Sequence, residues 1–298
     1  MKRAVVFAHY DKDAIIDNYV IYYVENLKKV ADIIIFVSSN NLSEEEKSKL
    51  NVSHIISEQH NEYDFGSYKR GFFYLKDNNL LNDIDELIFA NDSCYAPLFP
   101  FEEMFEKMEN EQCDFWGVTK NKYGPRRDET TGECVSVVRP HVQSYFLAFK
   151  PQVFNSECFI DFLNNVKHED DKADIIMKYE IGLSELLAKN EFSHKTYVNT
   201  EYELGDITLL GWRDLIKKYK SPFIKCCLLR GILYKFVDTV GWNRMVKRYT
   251  KFPIEKIYIN LDRTHHLKTR IISESYLLKI YLKLKQLKNY LDKKYPNG

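Results

Sequence analysis

Four polar stretches beside apolar runs are where this chain could do chemistry. In "ELIFANDSCYAP" (86–97) a short apolar run breaks into Asn91, Asp92 and Ser93 before a proline. Ligands of open α/β sheets bind beyond the carboxyl ends of the strands. A carboxylate placed there can hold a divalent cation that bridges a nucleotide diphosphate, or it can simply form a turn or cap a helix. In "NEYDFGSYKRG" (61–71) Gly66 and Ser67 precede an expected helix. Free backbone N–H groups there, with Lys69 and Arg70, would suit a phosphate; the same residues also make a capped helix with solvated charges. The stretch is neither a P-loop nor a GxGxxG fingerprint.

"KYEIGLSELLAKN" (178–190) puts Glu180 at the start of an amphipathic helix. Its carboxylate either serves the helix dipole or acts as a general base toward an acceptor hydroxyl. In "RPHVQSYFLAF" (139–149) His141 and Gln143 lead into an apolar run, where they either line a sugar site or are satisfied rim groups.

The elements that must position these residues follow from hydrophobic periodicity. Apolar, β-branched runs predict strands at 4–10, 32–38, 53–59, 87–90 and 114–119, with a further apolar run at 144–149 and an edge strand at 194–200. Between them lie helical patterns at 14–29, from Ser43 with its capping-box glutamates, at 67–77, 101–109, 152–166 and 178–190. The β-α-β-α order predicts an α/β domain with a mostly parallel sheet. A polar loop at 120–133 is long enough to be functional.

Composition bounds the class. The 298 residues, 45% hydrophobic, suffice for one large domain plus an appendage. The zero net charge conceals an asymmetry: from Trp212 onward there are 21 Lys and Arg against 6 Asp and Glu, leaving 22 against 37 before it. The expected division is therefore a domain at 1–211 and a basic helical region at 212–298. In the latter, Leu277, Ile280, Leu284, Leu287 and Leu291 share one helical face, with Lys279, Lys283, Lys285 and Lys288 mostly beside or opposite it. "PFIKCCLLRGILYKF" (222–236) is a second candidate of this kind. Each either lies on an anionic membrane surface or packs on the enzyme body or a second subunit. The aromatic residues of this region follow a helical stripe rather than a stacking platform, so nucleic acid is not an expected partner. Six cysteines without metal-like spacing, no signal peptide and no run of spanning length give an expected cytoplasmic protein, peripheral on the inner face of the membrane.

Taken in order, "NEYDFGSYKRG", "FANDSCYAP", "CDFWGVT", "HVQSYFLAF", "YEIGLSELL" and "SPFIKCCLLR" resemble the rhamnan synthesis protein F family, bacterial glycosyltransferases of surface polysaccharide assembly. The resemblance implies a GT-A-like, single nucleotide-sugar-binding domain. It implies transfer of a deoxyhexose, typically rhamnose from dTDP-rhamnose, to a lipid-linked glycan acceptor. Asn91, Asp92 and Ser93 then occupy the place of an Asp-x-Asp metal motif with one acidic residue. Both a Mg²⁺ or Mn²⁺ cofactor at Asp92 and metal-independent action stay open. Glu180 resembles the base of inverting enzymes; within such a mechanism Asp64, Lys69 and Arg70 are expected to help hold the nucleotide and Lys225 to add positive charge to the leaving group. Trp116, His141 and Gln143 fall on the acceptor or sugar side. The alternative from another class is a non-catalytic nucleotide-sugar or glycan-binding component of an assembly complex.

Overall fold

Ala4 to Ala8 form an unbroken apolar run, all fully buried, in strand β1 (Arg3–His9). Such continuity, rather than alternation, marks a parallel strand covered on both faces. The computed structural model describes residues 1–128, 130–200, 205–230 and 237–264; the amphipathic helix expected at 273–295 and residues 231–236 of the second candidate lie outside them. After β1 come α1 (Asn18–Leu27), β2 (Ile33–Ser38), α2 (Glu44–Ser48), β3 (His54–Ser57), α3 (Tyr63–Asp77), β4 (Glu86–Asn91) and β5 (Cys94–Tyr95). Then follow α4 (Phe101–Glu109), β6 (Phe115–Gly117), β7 (Lys120–Arg127), β8 (Cys134–Val142), β9 (Phe146–Phe149), α5 (Pro151–Phe154) and α6 (Glu157–Asn164). A continuous helical run joins α7 (Lys172–Ile175), a π-helical turn (Ile176–Ile181) and α8 (Gly182–Lys189), before β10 (His194–Thr196). The remaining elements are α9 (Ile207–Leu210), α10 (Trp212–Lys217), β11 (Ile224–Lys225), α11 (Cys226–Arg230), α12 (Trp242–Tyr249) and α13 (Glu255–Arg263).

Two compact units result. The first comprises Met1–Asp92 and Pro100–Ile207; the second comprises Ser93–Phe99 and the chain from Thr208 onward. The first unit is α/β, as the sequence implied. Its seven-stranded sheet has the order β10-β6-β9-β4-β1-β2-β3, and only β9 runs against the others. Alternate residues of β1 feed two cores. Val6 faces Tyr68, Phe72, Phe89, Phe149 and Phe159, while Phe7 packs on Tyr23 and Phe36. In the second unit β5 pairs with β11, and its other elements among the described residues are helices. No helix among the described residues is long and apolar enough to cross a membrane.

Local chemistry explains where the expected elements shift. The polar stretch 120–133 is not a loop: Lys120–Arg127 pairs antiparallel with Cys134–Val142, and alternation between half-buried and exposed positions along β8 lets the hairpin keep one face wet. The helix expected at 152–166 is interrupted because Ser156 Oγ accepts from Phe159 N–H and starts a new one. Helix α3 begins at Tyr63 rather than Ser67, so Gly66 lies inside its first turn and donates its N–H to Glu62 O at 3.1 Å.

At the amino ends of the strands, buried Glu86 accepts from Arg3 Nε at 2.9 Å, Trp116 Nε1 at 2.9 Å and Lys150 Nζ at 3.0 Å. On the face above β1, a side chain at Gly71 of α3 would overlap Val6 Cγ1. Gly71→Ala is therefore expected to destabilise the protein by about 1–3 kcal/mol, read from urea denaturation. Combining it with Val6→Ala should cost less than the two single changes together, because the second vacates the space the first needs.

Candidate functional site

The chain runs outward from β1 to β2 and β3, then returns to place β4 on the other side of β1. The connections leaving β1 and β4 thus diverge, opening a crevice at their carboxyl ends, where α/β sheets bind ligands. His9 ends β1 and Asn91 ends β4, with Asp92 next. Asp92 is anchored on three sides. Its N–H donates to Ala8 O at 3.3 Å, its Oδ2 accepts from Tyr10 N–H at 3.1 Å, and its carbonyl accepts from the Tyr19 hydroxyl at 3.0 Å. The side chain stays 14% exposed, enough to meet a ligand.

His9 is buried, with Nδ1 3.2 Å from Ser38 Oγ and Nε2 3.8 Å from Asp92 Oδ2. Burial pushes its pKa down to about 4, against the opposing pull of Asp11, Asp17 and Glu46. The imidazole is neutral near pH 7, so it shapes the pocket beside Asp92 without cancelling the carboxylate charge.

A second group of side chains meets β4 from the opposite face. Asn91 Nδ2 donates to Asp64 Oδ2 at 2.7 Å. Fully buried Tyr68 donates its hydroxyl to Ser144 O at 3.2 Å. Burial drives the Tyr68 pKa well above its usual 10, and the charges of Asp64, Asp92 and Glu180 push the same way, so it remains a donor. Glu180 Oε1 accepts from Ser144 N–H at 3.1 Å. Residue 144 is thereby held at both its N–H and its carbonyl. Glu180 does not open a helix: it sits in the π-helical turn within the run from Lys172 to Lys189, and such turns change the aim of side chains relative to an α-helix. Asp64, Tyr68, Asn91, Asp92 and Glu180 are therefore brought together.

Next to them, Gln143 uses both ends of its amide: Oε1 accepts from Thr119 Oγ1 at 2.7 Å and Nε2 donates to Asp206 Oδ2 at 3.1 Å. His141 Nδ1–H donates to Arg139 O at 2.8 Å.

Other expected site residues have different occupations. Trp116 is in the core with its Nε1–H on Glu86, at the amino ends of the strands and away from Asp92. Lys69 donates to the carbonyls of Asn164 and Val166 at 3.0 and 2.9 Å, and Arg70 is paired with Glu58 and Glu62. The N–H of Gly66 is consumed within α3. Ser67 Oγ lies 3.1 Å from His60 Nε2. Because Glu62 N–H donates to His60 Nδ1 at 3.3 Å, the proton of the neutral ring is on Nε2, so His60 donates to Ser67 and does not activate it as a nucleophile. Ser93 and Lys225 belong to the second unit, where Lys225 Nζ donates to Ser93 Oγ at 3.3 Å.

Sequence reading missed His9, Tyr10, Tyr68, Thr119 and Asp206. The polar break "HYDKD" after the first apolar run carries the same signal that singled out Asp92. Tyr68, by contrast, reads as one more aromatic on a helix.

Among the described residues no group of three His, Cys, Asp or Glu side chains could hold a metal ion by itself. A lone strand-end carboxylate nonetheless fits a Mg²⁺ or Mn²⁺ that takes its remaining ligands from substrate phosphates and water.

Burial, and then the Arg70 charge, lower the His60 pKa from 6.5 to about 4, with Glu62 and Glu58 opposing. The unfolded chain gains a proton as pH falls through 6.5 that the folded chain refuses until about 4. Stability is thus full above that window and declines within it. Thermal melts of His60→Gln between pH 7 and pH 5 should show a shallower fall in Tm than those of the wild type.

The chain matches the rhamnan synthesis protein F family over residues 34–294. Among curated proteins it is 23% identical over 216 residues to the uncharacterized protein y4gN of Sinorhizobium fredii, covering 71% of this chain and 49% of that one. It is 30% identical over 129 residues to the virulence protein VirA of Vibrio anguillarum, covering 41% and 35%. The chain spans about half or less of the length of these relatives. Among solved structures it is similar to core-mannan synthase A of Aspergillus fumigatus in its Mn/GDP form, at 12% identity and a TM-score of 0.38, covering 62% of this chain and 70% of that one. With the family match running through most of its length, the chain belongs to the rhamnan synthesis protein F family.

Proposed function

We propose that the protein is an inverting glycosyltransferase that moves rhamnose from dTDP-rhamnose to a growing, lipid-linked cell-surface glycan on the cytoplasmic side of the membrane. Family membership supports a glycosyltransferase-type role. The observation that carries the reading is the gathering of Asp64, Asn91, Asp92 and Glu180 at the carboxyl end of β4, beside the topological switch.

In this reading Asp92 orients the donor, and a divalent metal bound with the diphosphate would add charge against the leaving group. Glu180, held by Ser144 N–H, takes the proton from the acceptor hydroxyl as that oxygen attacks the anomeric carbon. The C–O bond to the diphosphate breaks in the same displacement, which inverts the centre. The backbone N–H groups near the crevice are assigned to the departing charge. Asn91 and Asp64 keep the β4 end rigid through their 2.7 Å hydrogen bond, and His141 and Gln143 border the sugar.

A second reading is a non-catalytic nucleotide-sugar-binding component. The engagement of Lys69 and Arg70 with other partners favours it, since neither cation is offered to a phosphate.

Purified protein is to be screened for binding and turnover of a nucleotide-sugar panel, with and without Mg²⁺ or Mn²⁺. Selective use of dTDP-rhamnose is expected. Glu180→Gln should retain donor binding and lose at least about a hundredfold in transfer rate, whereas Asp92→Ala should weaken donor binding itself. Near-normal turnover by a folded Glu180→Gln protein would remove the base assignment. Donor binding without any turnover would select the non-catalytic reading.

A further inference from the structure

The two units differ in charge balance. In the first, Arg3, Arg70, Arg127, Arg139, Lys150 and Lys178 each lie within ion-pair distance of a carboxylate. In the second, the described residues from Thr208 onward hold 12 Lys and Arg against 4 Asp and Glu. Among the described residues, no carboxylate is within ion-pair distance of Lys217, Lys218, Arg244, Lys247, Arg248 or Lys251.

Arg244, Lys247 and Arg248 lie on α12, and Lys217 meets that helix at Tyr249. Helix α12 buries Trp242, Met245 and Val246 and exposes Arg244, Lys247, Arg248 and Tyr249. Lys217 at the end of α10 reaches the same aromatic: its Nζ lies 5.7 Å from the Tyr249 ring centre, and the Arg248 guanidinium lies 5.6 Å from it. Tyr249 is 39% exposed, and Leu210 and Ile259 of the same unit are each 48% exposed.

Like charges grouped on one surface repel one another and cost stability unless an anionic partner offsets them. An amphipathic helix with cations on its wet face and an aromatic among them fits an anionic bilayer: the cations meet lipid phosphates and carboxylates, and the ring settles at headgroup depth. Single-stranded nucleic acid would require open aromatic faces for stacking, but cations lie over the Tyr249 ring. We propose that the α10–α12 surface around Tyr249 docks on an anionic lipid bilayer. The inference adds a partner to the function proposed above and does not depend on it, and donor binding, measured in the same samples, lets the two fail separately.

The test uses the full-length chain, sedimented with phosphatidylcholine vesicles that contain or lack phosphatidylserine, at low and high salt. Each basic residue near such a surface is worth roughly a fivefold change in binding. The Lys217→Glu/Lys247→Glu/Arg248→Glu protein, shown to be folded by circular dichroism, should therefore bind phosphatidylserine vesicles at least about a hundredfold more weakly. The charge-conserving Lys217→Arg/Lys247→Arg/Arg248→Lys protein should bind as the wild type does, and high salt should release both. Unchanged binding by the Glu variant would move the contact to the basic residues beyond 264 and overturn the assignment. So would equal binding to vesicles without phosphatidylserine, or salt-sensitive self-association with no vesicle binding, which would assign the surface to the acidic part of a second copy.

Discussion

The ion pair between Arg3 and Glu86 fixes the alignment on which the rest of the first unit depends. The two residues are direct partners in the parallel β1–β4 register, and the same ladder ends at Ala8 opposite Asn91. A slip by one residue would turn every following side chain to the other face of the sheet. It would exchange Val6 with Phe7 between the two cores and take Asp92 away from Tyr10 N–H. Both charges are buried, so leaving either unpaired would cost several kcal/mol, of order 3–5. Trp116 and Lys150 use the remaining acceptor capacity of Glu86.

At the carboxyl ends of β1 and β4, burial fixes the protonation of two groups beside the carboxylates. His9 is held neutral by burial beside Asp92, and Tyr68 stays protonated amid three carboxylates. Charge at such a point suits a partner that brings cations or hydroxyls, as a metal-bearing nucleotide or a sugar does. Two surface arginines of the first unit are engaged structurally: Arg127 ties the β7–β8 hairpin to Asp171 and Asp174, and Arg139 ties it to Glu185. Polar binding in this unit therefore depends on groups aimed by backbone hydrogen bonds more than on mobile lysines.

Much of the architecture was legible because strands covered on both faces must be apolar throughout. The runs near 4–10, 32–38 and 87–90 could hardly be anything else in a chain that also shows helical periodicity between them. The β7–β8 hairpin was not legible, since its strands are only half-buried and its polar residues resemble a loop. Trp116 was misjudged for a different reason: an aromatic beside a polar loop suggests a sugar platform until Glu86, 30 residues earlier, is seen to accept from its indole. Lys69 and Arg70 looked available for phosphate because their partners at Asn164, Val166, Glu58 and Glu62 are made by folding.

By itself the sequence determined the α/β class, the polar breaks at strand ends and the separation of acidic and basic parts, because burial, periodicity and charge are local properties of residue order. Tertiary structure alone decided that β4 returns beside β1, that the π-helical turn aims Glu180 at Ser144, and that Ser93–Phe99 joins the second unit by pairing Cys94–Tyr95 with Ile224–Lys225. Each of these rests on hydrogen bonds between residues tens of positions apart, whose partners are chosen by the packing of the whole chain and leave no trace in local pattern.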